Sequence, residues 1–407
     1  MKVAYYSPLP PERSGIADYS ALLLPALRER LDVEPVKRGR RRPPRGADLS
    51  LYHLGNDPDS HGWILEALRA WPGVAVLHEW VLHHLIAGLT LGRKDVAQYL
   101  AALEREAGIA GRLLGLGVVD GCVPALWESR PEDFPLASVV LDATRDRGVI
   151  VHSRYVQDRV RESGYRGPVW RIPHPAWPPP DVEPAELGDG PVIGCLGHLN
   201  ATKRIPQLLE AFAHVHDARL LLVGSAPRQL DLDGRVARAG IPVIRENYVD
   251  ERRFWSLMAR CDAVVSLRAP TMGETSGSAI RALSLGRPLV VSDVGWFGEL
   301  PDTVAFKVPV DDREVEMLTR SLEALATRED VRSSMSAAAT AYVAAEHELG
   351  RVADLYAAAL EEAAGGPAVR EAVVAEVAAA AADVGIEPGS PEAAELGARL
   401  REARIGE

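Results

Sequence analysis

VIGCLGHLNATKR, residues 192–204, runs an apolar stretch into a glycine turn and then into two adjacent cations, after which Leu208, Leu209 and Phe212 recur at helical spacing. Such a stretch reads as strand, loop and helix, because a short apolar run bounded by turn formers suits a buried strand and a three-to-four residue recurrence suits one face of a helix. A helix start exposes unpaired amides and the positive end of its dipole, and a glycine there lets an anion approach the backbone. Lys203 and Arg204 add full charge at the same place, where they oppose the dipole unless an anion is bound. Gly197, Lys203 and Arg204 are therefore candidate anion-binding residues.

A second unit of this kind lies further along, in LRAPTMGETSGSAIRALSLGRPLVVSDVG, residues 267–295. Glu274, Thr275, Ser276, Gly277 and Ser278 separate an apolar run from a helical pattern carrying Ile280, Leu283 and Leu285. Small residues ahead of a helix let amides reach a ligand, and a carboxylate supplies strong acceptors for sugar hydroxyls. Two helix starts in one sheet suggest a diphosphate held between them.

Further short apolar runs follow the same rhythm. Val3–Tyr6, Leu49–Leu54, Val74–Leu77, Val139–Leu141 and Val149–Val151 precede the first unit, and Leu220–Val223, Val243–Ile244 and Ala263–Leu267 lie within the second half. Separations long enough for crossover helices predict parallel sheets covered on both faces. The stretch from Trp177 to Pro191, WPPPDVEPAELGDGP, has no periodicity and reads as a surface linker. The expected division is a doubly wound domain over 1–180, a second over 191–345, a helix over 346–365 packing back toward the first domain, and a helical appendage over 366–407. In this α/β class, ligands sit outside the carboxyl ends of the strands, so two facing sheets create a cleft.

Composition excludes several alternatives. The formal charge of -11 over 407 residues argues against a nucleic-acid partner. The basic run Lys37, Arg38, Arg40, Arg41, Arg42 and Arg45 reads as a solvated loop, with contact to an anionic acceptor or to lipid headgroups as the sharper alternative. Cys122, Cys195 and Cys261 lack metal spacing and read as small buried hydrophobes. No apolar window reaches the length of a membrane span, so a cytoplasmic location, with peripheral contact at the inner face of a membrane left open, is expected. His78, His83 and His84 lack the same-face spacing of a helical metal pair, so no metal is expected. His78 itself ends a strand, ahead of Glu79, which marks it as a functional candidate. Gly15, in SGIADYS after the first strand, is another, and Asn56 and His61 follow the Leu49–Leu54 run.

Taken together, these residues resemble the large family four of two-lobed retaining glycosyltransferases (GT-B, glycosyl transferases group 1) over roughly the first 365 residues. Lys203 falls on that family's diphosphate-binding lysine, His78 on its cleft histidine and Glu274 on the glutamate that contacts the donor sugar. His198 stands where the family has arginine, and Ala282 where it has a second glutamate that grips the ribose. Glu299, in FGELPD, matches a family acid by position, with a helix-start role as the alternative. The resemblance implies transfer of a hexose from a nucleoside diphosphate sugar, UDP or GDP type, to a hydroxyl of a glycan, lipid-linked or small-molecule acceptor. It implies retention of configuration and no required cofactor, with His78, Glu274 and Lys203 as the catalytic set and Gly15, Gly197, His198, Arg204 and Thr275–Ser278 binding the donor. A non-catalytic nucleotide-sugar-binding subunit, a sugar epimerase and self-association of the chain stay open.

Overall fold

The computed structural model describes residues 1–144, 147–365 and 367–402. It contains two six-stranded sheets in which every recorded pairing is parallel. The first takes β1 (Lys2–Tyr6), β2 (Asp32–Pro35), β3 (Leu49–Leu54), β4 (Val74–Leu77), β5 (Val149–Val151) and β6 (Val169–Arg171) in the order β2-β1-β3-β4-β5-β6. The second takes β7 (Val192–Leu196), β8 (Arg219–Val223), β9 (Val243–Glu246), β10 (Ala263–Ser266), β11 (Leu289–Ser292) and β12 (Ala305–Val308) in the order β12-β11-β10-β7-β8-β9. Strands buried on both faces account for the near-continuous apolar runs that the sequence shows.

Strand order reverses between β1 and β3 in one sheet and between β7 and β10 in the other. Loops leaving such neighbouring strands diverge to opposite faces and open a crevice at the carboxyl edge. The 197–204 and 267–276 segments leave β7 and β10, so both candidate loops emerge at one switch point.

Three expectations need correction. Val139–Leu141 is not a strand but part of a buried helical turn, Ser138–Leu141, packed among the apolar residues of the first domain; a three-residue apolar run does not by itself distinguish the two states. The Trp177–Pro191 segment is not a free linker throughout. Ala185 is buried, its amide donating to the Ser256 carbonyl at 3.0 Å, and the Ser256 hydroxyl donates to the Glu183 carbonyl at 2.8 Å. Among the cysteines, Cys195 and Cys261 are buried but Cys122 is exposed.

The helix Leu349–Ala363 lies on the first domain, where Val352, Ala353, Tyr356 and Leu360 join the core of Tyr5, Tyr19, Leu23 and Leu27. The hydroxyls of Tyr19 and Tyr356 lie 2.7 Å apart. Beyond it, helices Pro367–Asp383 and Pro391–Glu402 carry mostly exposed side chains among those described. Deleting residues 367–407 should leave ligand affinity at the carboxyl edges of the sheets within about twofold, since surface changes away from a site cost little; titration of the truncated chain checks this. Among the described residues no helix is long and apolar enough to cross a membrane.

Candidate active site

A cleft of about 330 Å³ separates the carboxyl edges of the two sheets. The first domain contributes Gly15, Tyr19, His78 and Glu79, and the second contributes Glu274, Thr275, Gly277, Ser278 and Arg281. Trp177, from the connection between them, completes one wall.

Gly15 opens the helix Gly15–Arg28, whose cap Ser14 accepts a bond from the Ala17 amide at 3.0 Å. A side chain at 15 would meet nothing within 4 Å, so the first turn faces open cleft. Behind it stands a row of imidazoles. His53 lies in β3, and His78, His152 and His174 follow β4, β5 and β6. His53 Nδ1 and His78 Nε2 are 3.0 Å apart, and the Tyr19 ring meets His78 and His174 edge-on, each at 4.7 Å. Burial pushes His78 well below the ordinary histidine range, and the neighbouring imidazoles push in the same direction. His152 is lowered to about 4, first by burial. These rings are neutral at pH 7. They offer hydrogen bonds to hydroxyls rather than charge.

The second domain supplies the charge. Gly197 has φ +103, and a Cβ there would stand 3.3 Å from Lys203 Nζ and 3.9 Å from Ser278 Oγ, so the two candidate loops touch. Lys203 is 4% exposed, and its ammonium donates to the Leu196 carbonyl at 2.6 Å. Burial lowers its pKa to about 8, with the Arg268 charge acting the same way and Glu274 opposing. Glu274 accepts from the Met272 amide at 2.8 Å and pairs with Arg268 at 2.5 Å. Ser276 caps the helix Gly277–Ser284 by accepting from the Ala279 amide at 3.3 Å, while Thr275 Oγ1 is buried without a protein partner.

Arg204 departs from expectation. Its backbone is left-handed, at φ 54, and its guanidinium makes a two-pronged pair with the buried Glu314. The side chain is thus committed to the body of the domain rather than to the cleft. His198 makes a 3.0 Å contact with Ser225, and its pKa is lowered by burial and then by Lys203 and Arg268, which disfavours its charged form. Ala282 is turned into the core, whereas its neighbour Arg281 enters the cleft and stacks on Trp177 at 4.0 Å. Glu299 takes the helix-start role: its carboxylate accepts from the Arg154 and Tyr155 amides at 3.0 and 2.6 Å. That bond ties the second domain to the helix Arg154–Glu162 of the first. Nearby, the Trp80 and Val81 amides donate to the Met272 carbonyl at 2.7 and 2.9 Å. A side chain at Gly273, φ +80, would strike Trp80 at 2.6 Å, so only glycine permits that approach.

His83 lies in the core, bonded to the Phe134 carbonyl and the Tyr99 hydroxyl at 2.8 and 2.9 Å. Asn56 accepts from the Leu85 amide at 3.1 Å, and both it and His61 line the cleft. In the basic run, Arg38 pairs with Glu12 at 2.9 Å and Arg41 with Glu66 at 2.6 Å, which makes this loop a partly neutralised surface.

Residues 190–328 match the sequence pattern of the family described as glycosyl transferases group 1. The chain superposes on sucrose-phosphate synthase from Thermosynechococcus elongatus with a TM-score of 0.59 at 19% identity, over 88% of this chain and 97% of that one. It superposes on Anabaena HepE, solved with UDP and glucose, with a TM-score of 0.60 at 15% identity, over 89% and 100%. The fold is GT-B. WaaG, a glycosyltransferase involved in lipopolysaccharide biosynthesis, shares it with a TM-score of 0.52 at 13% identity, over 90% of this chain and 100% of that one. A curated relative, 2-deoxystreptamine glucosyltransferase of Streptomyces kanamyceticus, is 30% identical over 126 residues, 30% of this chain. That match spans only 31% of the relative's length.

A GT-B cleft whose ammonium titrates near 8 has a pH signature. Lys203 loses its charge as pH rises through about 8, and Glu79, pushed up to about 8 by burial and then by Glu274, becomes an anion over the same interval. Both changes make the cleft more negative. Affinity for an anion beside Lys203 should therefore fall by up to about tenfold per titrating group per unit above pH 8. Calorimetry at pH 8 in buffers of different ionisation heat should record proton uptake on binding; zero uptake with pH-independent affinity would contradict it.

Proposed function

We propose that this chain transfers a hexose-type sugar from a nucleoside diphosphate sugar to an acceptor hydroxyl. The observation that carries the reading is a nearly solvent-free ammonium, Lys203, at the switch point of the second sheet, beside Gly197 and Ser278. A desolvated fixed charge is costly to hold, and a bound diphosphate offsets that cost. Breaking the bond from the anomeric carbon to the diphosphate oxygen leaves positive character on the sugar and adds negative charge to the leaving group. Lys203 and the amides at the two helix starts stabilise that growing charge electrostatically, in place before the reaction begins.

The neutral His78 and the free Thr275 hydroxyl hold sugar or acceptor hydroxyls, and Glu274 orients the donor sugar. Retention of configuration is carried over from the resemblance to family four. The acceptor binds from the first domain, whose helix start at Gly15 and row of imidazoles form the opposite wall.

Incubation with UDP-, GDP-, ADP- and dTDP-linked sugars, with nucleoside diphosphate release and sugar products followed by mass spectrometry, tests the assignment. Release or transfer is the expected result. An isomerised donor would point to an epimerase, and tight binding without any turnover to a non-catalytic subunit.

A further inference from the structure

We propose that Arg268 is the second fixed positive charge of the donor site and touches the diphosphate, a role that sequence position alone assigns to residue 198. The inference rests on the glycosyl-transfer reading above. The charged form of His198 is disfavoured and Arg204 is paired with Glu314, so Lys203 is the cation of the turn after β7 left to face a doubly charged group. Arg268 follows β10, the strand adjacent to β7 at the point where strand order reverses. Its loop is fastened to the turn that carries Lys203. The Arg268 Nη1 donates to Thr202 Oγ1 at 3.0 Å, and the Ala269 amide donates to the Thr202 carbonyl at 2.9 Å.

The guanidinium is held as well as placed. Its side chain is 13% exposed and pairs with Glu274, which lines the cleft. Its charge is felt at Lys203, at His198 and across the cleft at Glu79, so it lies within electrostatic reach of three groups around the proposed donor site. A guanidinium is planar and permanently charged, and its remaining N–H groups match phosphate oxygens two at a time. Glu274 thereby gains a positioning role beside its expected contact with the sugar, because it fixes the fork before the donor arrives.

The test compares nucleoside diphosphates with their nucleosides. Wild type, Arg268→Ala, Arg268→Lys, the double variant Arg268→Ala/His198→Arg and Lys203→Ala are titrated calorimetrically with UDP, GDP, ADP and dTDP, and with uridine, guanosine, adenosine and thymidine. Loss of one charged contact should weaken diphosphate binding by about 30-fold in Arg268→Ala while nucleoside affinity stays within about twofold. Arg268→Lys, which keeps the charge without the fork, should fall between, and the added arginine at 198 should recover at least a few-fold of the loss. Arg268→Ala and Arg268→Lys both binding diphosphate as wild type, with Lys203→Ala impaired, would overturn this proposal and leave the reading of the site intact. Equal losses for nucleoside and diphosphate would also overturn it, since they mark a merely structural role. Unchanged binding in Lys203→Ala, or no nucleotide binding in wild type, would instead bring down the donor-site reading itself.

Discussion

Lys203→Met will lower turnover by about three orders of magnitude while the protein melts several degrees higher at pH 7. The two effects share one cause. The ammonium is held at 4% exposure with a pKa lowered to about 8, from an ordinary value of 10.5 in the unfolded chain. A lysine with a depressed folded pKa costs stability wherever the folded state must carry its charge, so the cost is fully present below pH 8 and vanishes as pH rises toward 10.5. A shift of this size is worth on the order of 3 kcal/mol, and methionine fills the same volume without it. Catalysis loses what stability gains, because a prearranged charge aimed at the leaving group is worth roughly a hundred- to thousand-fold in rate per group. Thermal melts at pH 7 and pH 10 with steady-state rates check both halves: the gain in melting temperature should shrink at pH 10. Wild-type turnover, or a lower melting temperature at pH 7, would remove Lys203 from the proposed site.

The alternation of apolar runs with helical patterns made both sheets legible, because strands buried on two faces must be apolar almost throughout. Gly197 and Lys203 were legible for a different reason: a glycine and a cation at a helix start carry a local physical cost that a bound anion relieves. The cluster around them was not. Arg268 looks like any strand-end arginine until the β10–β7 pairing brings it to Thr202 and Lys203. His152 and His174 likewise sit far from His78 in sequence and meet it only through the order β4-β5-β6. A signal was nonetheless present, since the rule that singled out His78, a polar residue at the carboxyl end of a strand, selects His152 and Arg268 equally well.

Arg204 shows the opposite error. Its position beside Lys203 suggested a shared anion, but adjacent residues in a tight turn point in different directions, and the left-handed backbone at 204 turns this one toward Glu314. Ala282 and Arg281 repeat the lesson on a helix, where neighbours lie about 100° apart: one fills the core and the other enters the cleft. In the sequence Glu79 stands out only as the residue after His78, because its raised pKa depends on burial and on Glu274, contributed by the other domain.

Glu274→Gln should cut turnover by about 100-fold yet change nucleoside diphosphate affinity by no more than about threefold, since losing a charged hydrogen bond to the sugar costs roughly 1.5–3 kcal/mol. The small change in affinity follows from two opposed effects. Removing the carboxylate takes a negative charge away from the diphosphate, which favours binding. It also frees Arg268 from its 2.5 Å pair, and a guanidinium no longer held in place gives up part of its advantage for phosphate. Glutamine keeps an oxygen to accept the Met272 amide, so the loop that docks on Trp80 and Val81 stays formed. What is lost is the charged acceptor facing the sugar, felt as the anomeric carbon becomes positive. Comparison of kcat with the affinity for the free nucleoside diphosphate separates these contributions. Equal falls in both would mean that Glu274 acts only by shaping the loop, and unchanged kcat would exclude it from contact with the reacting sugar.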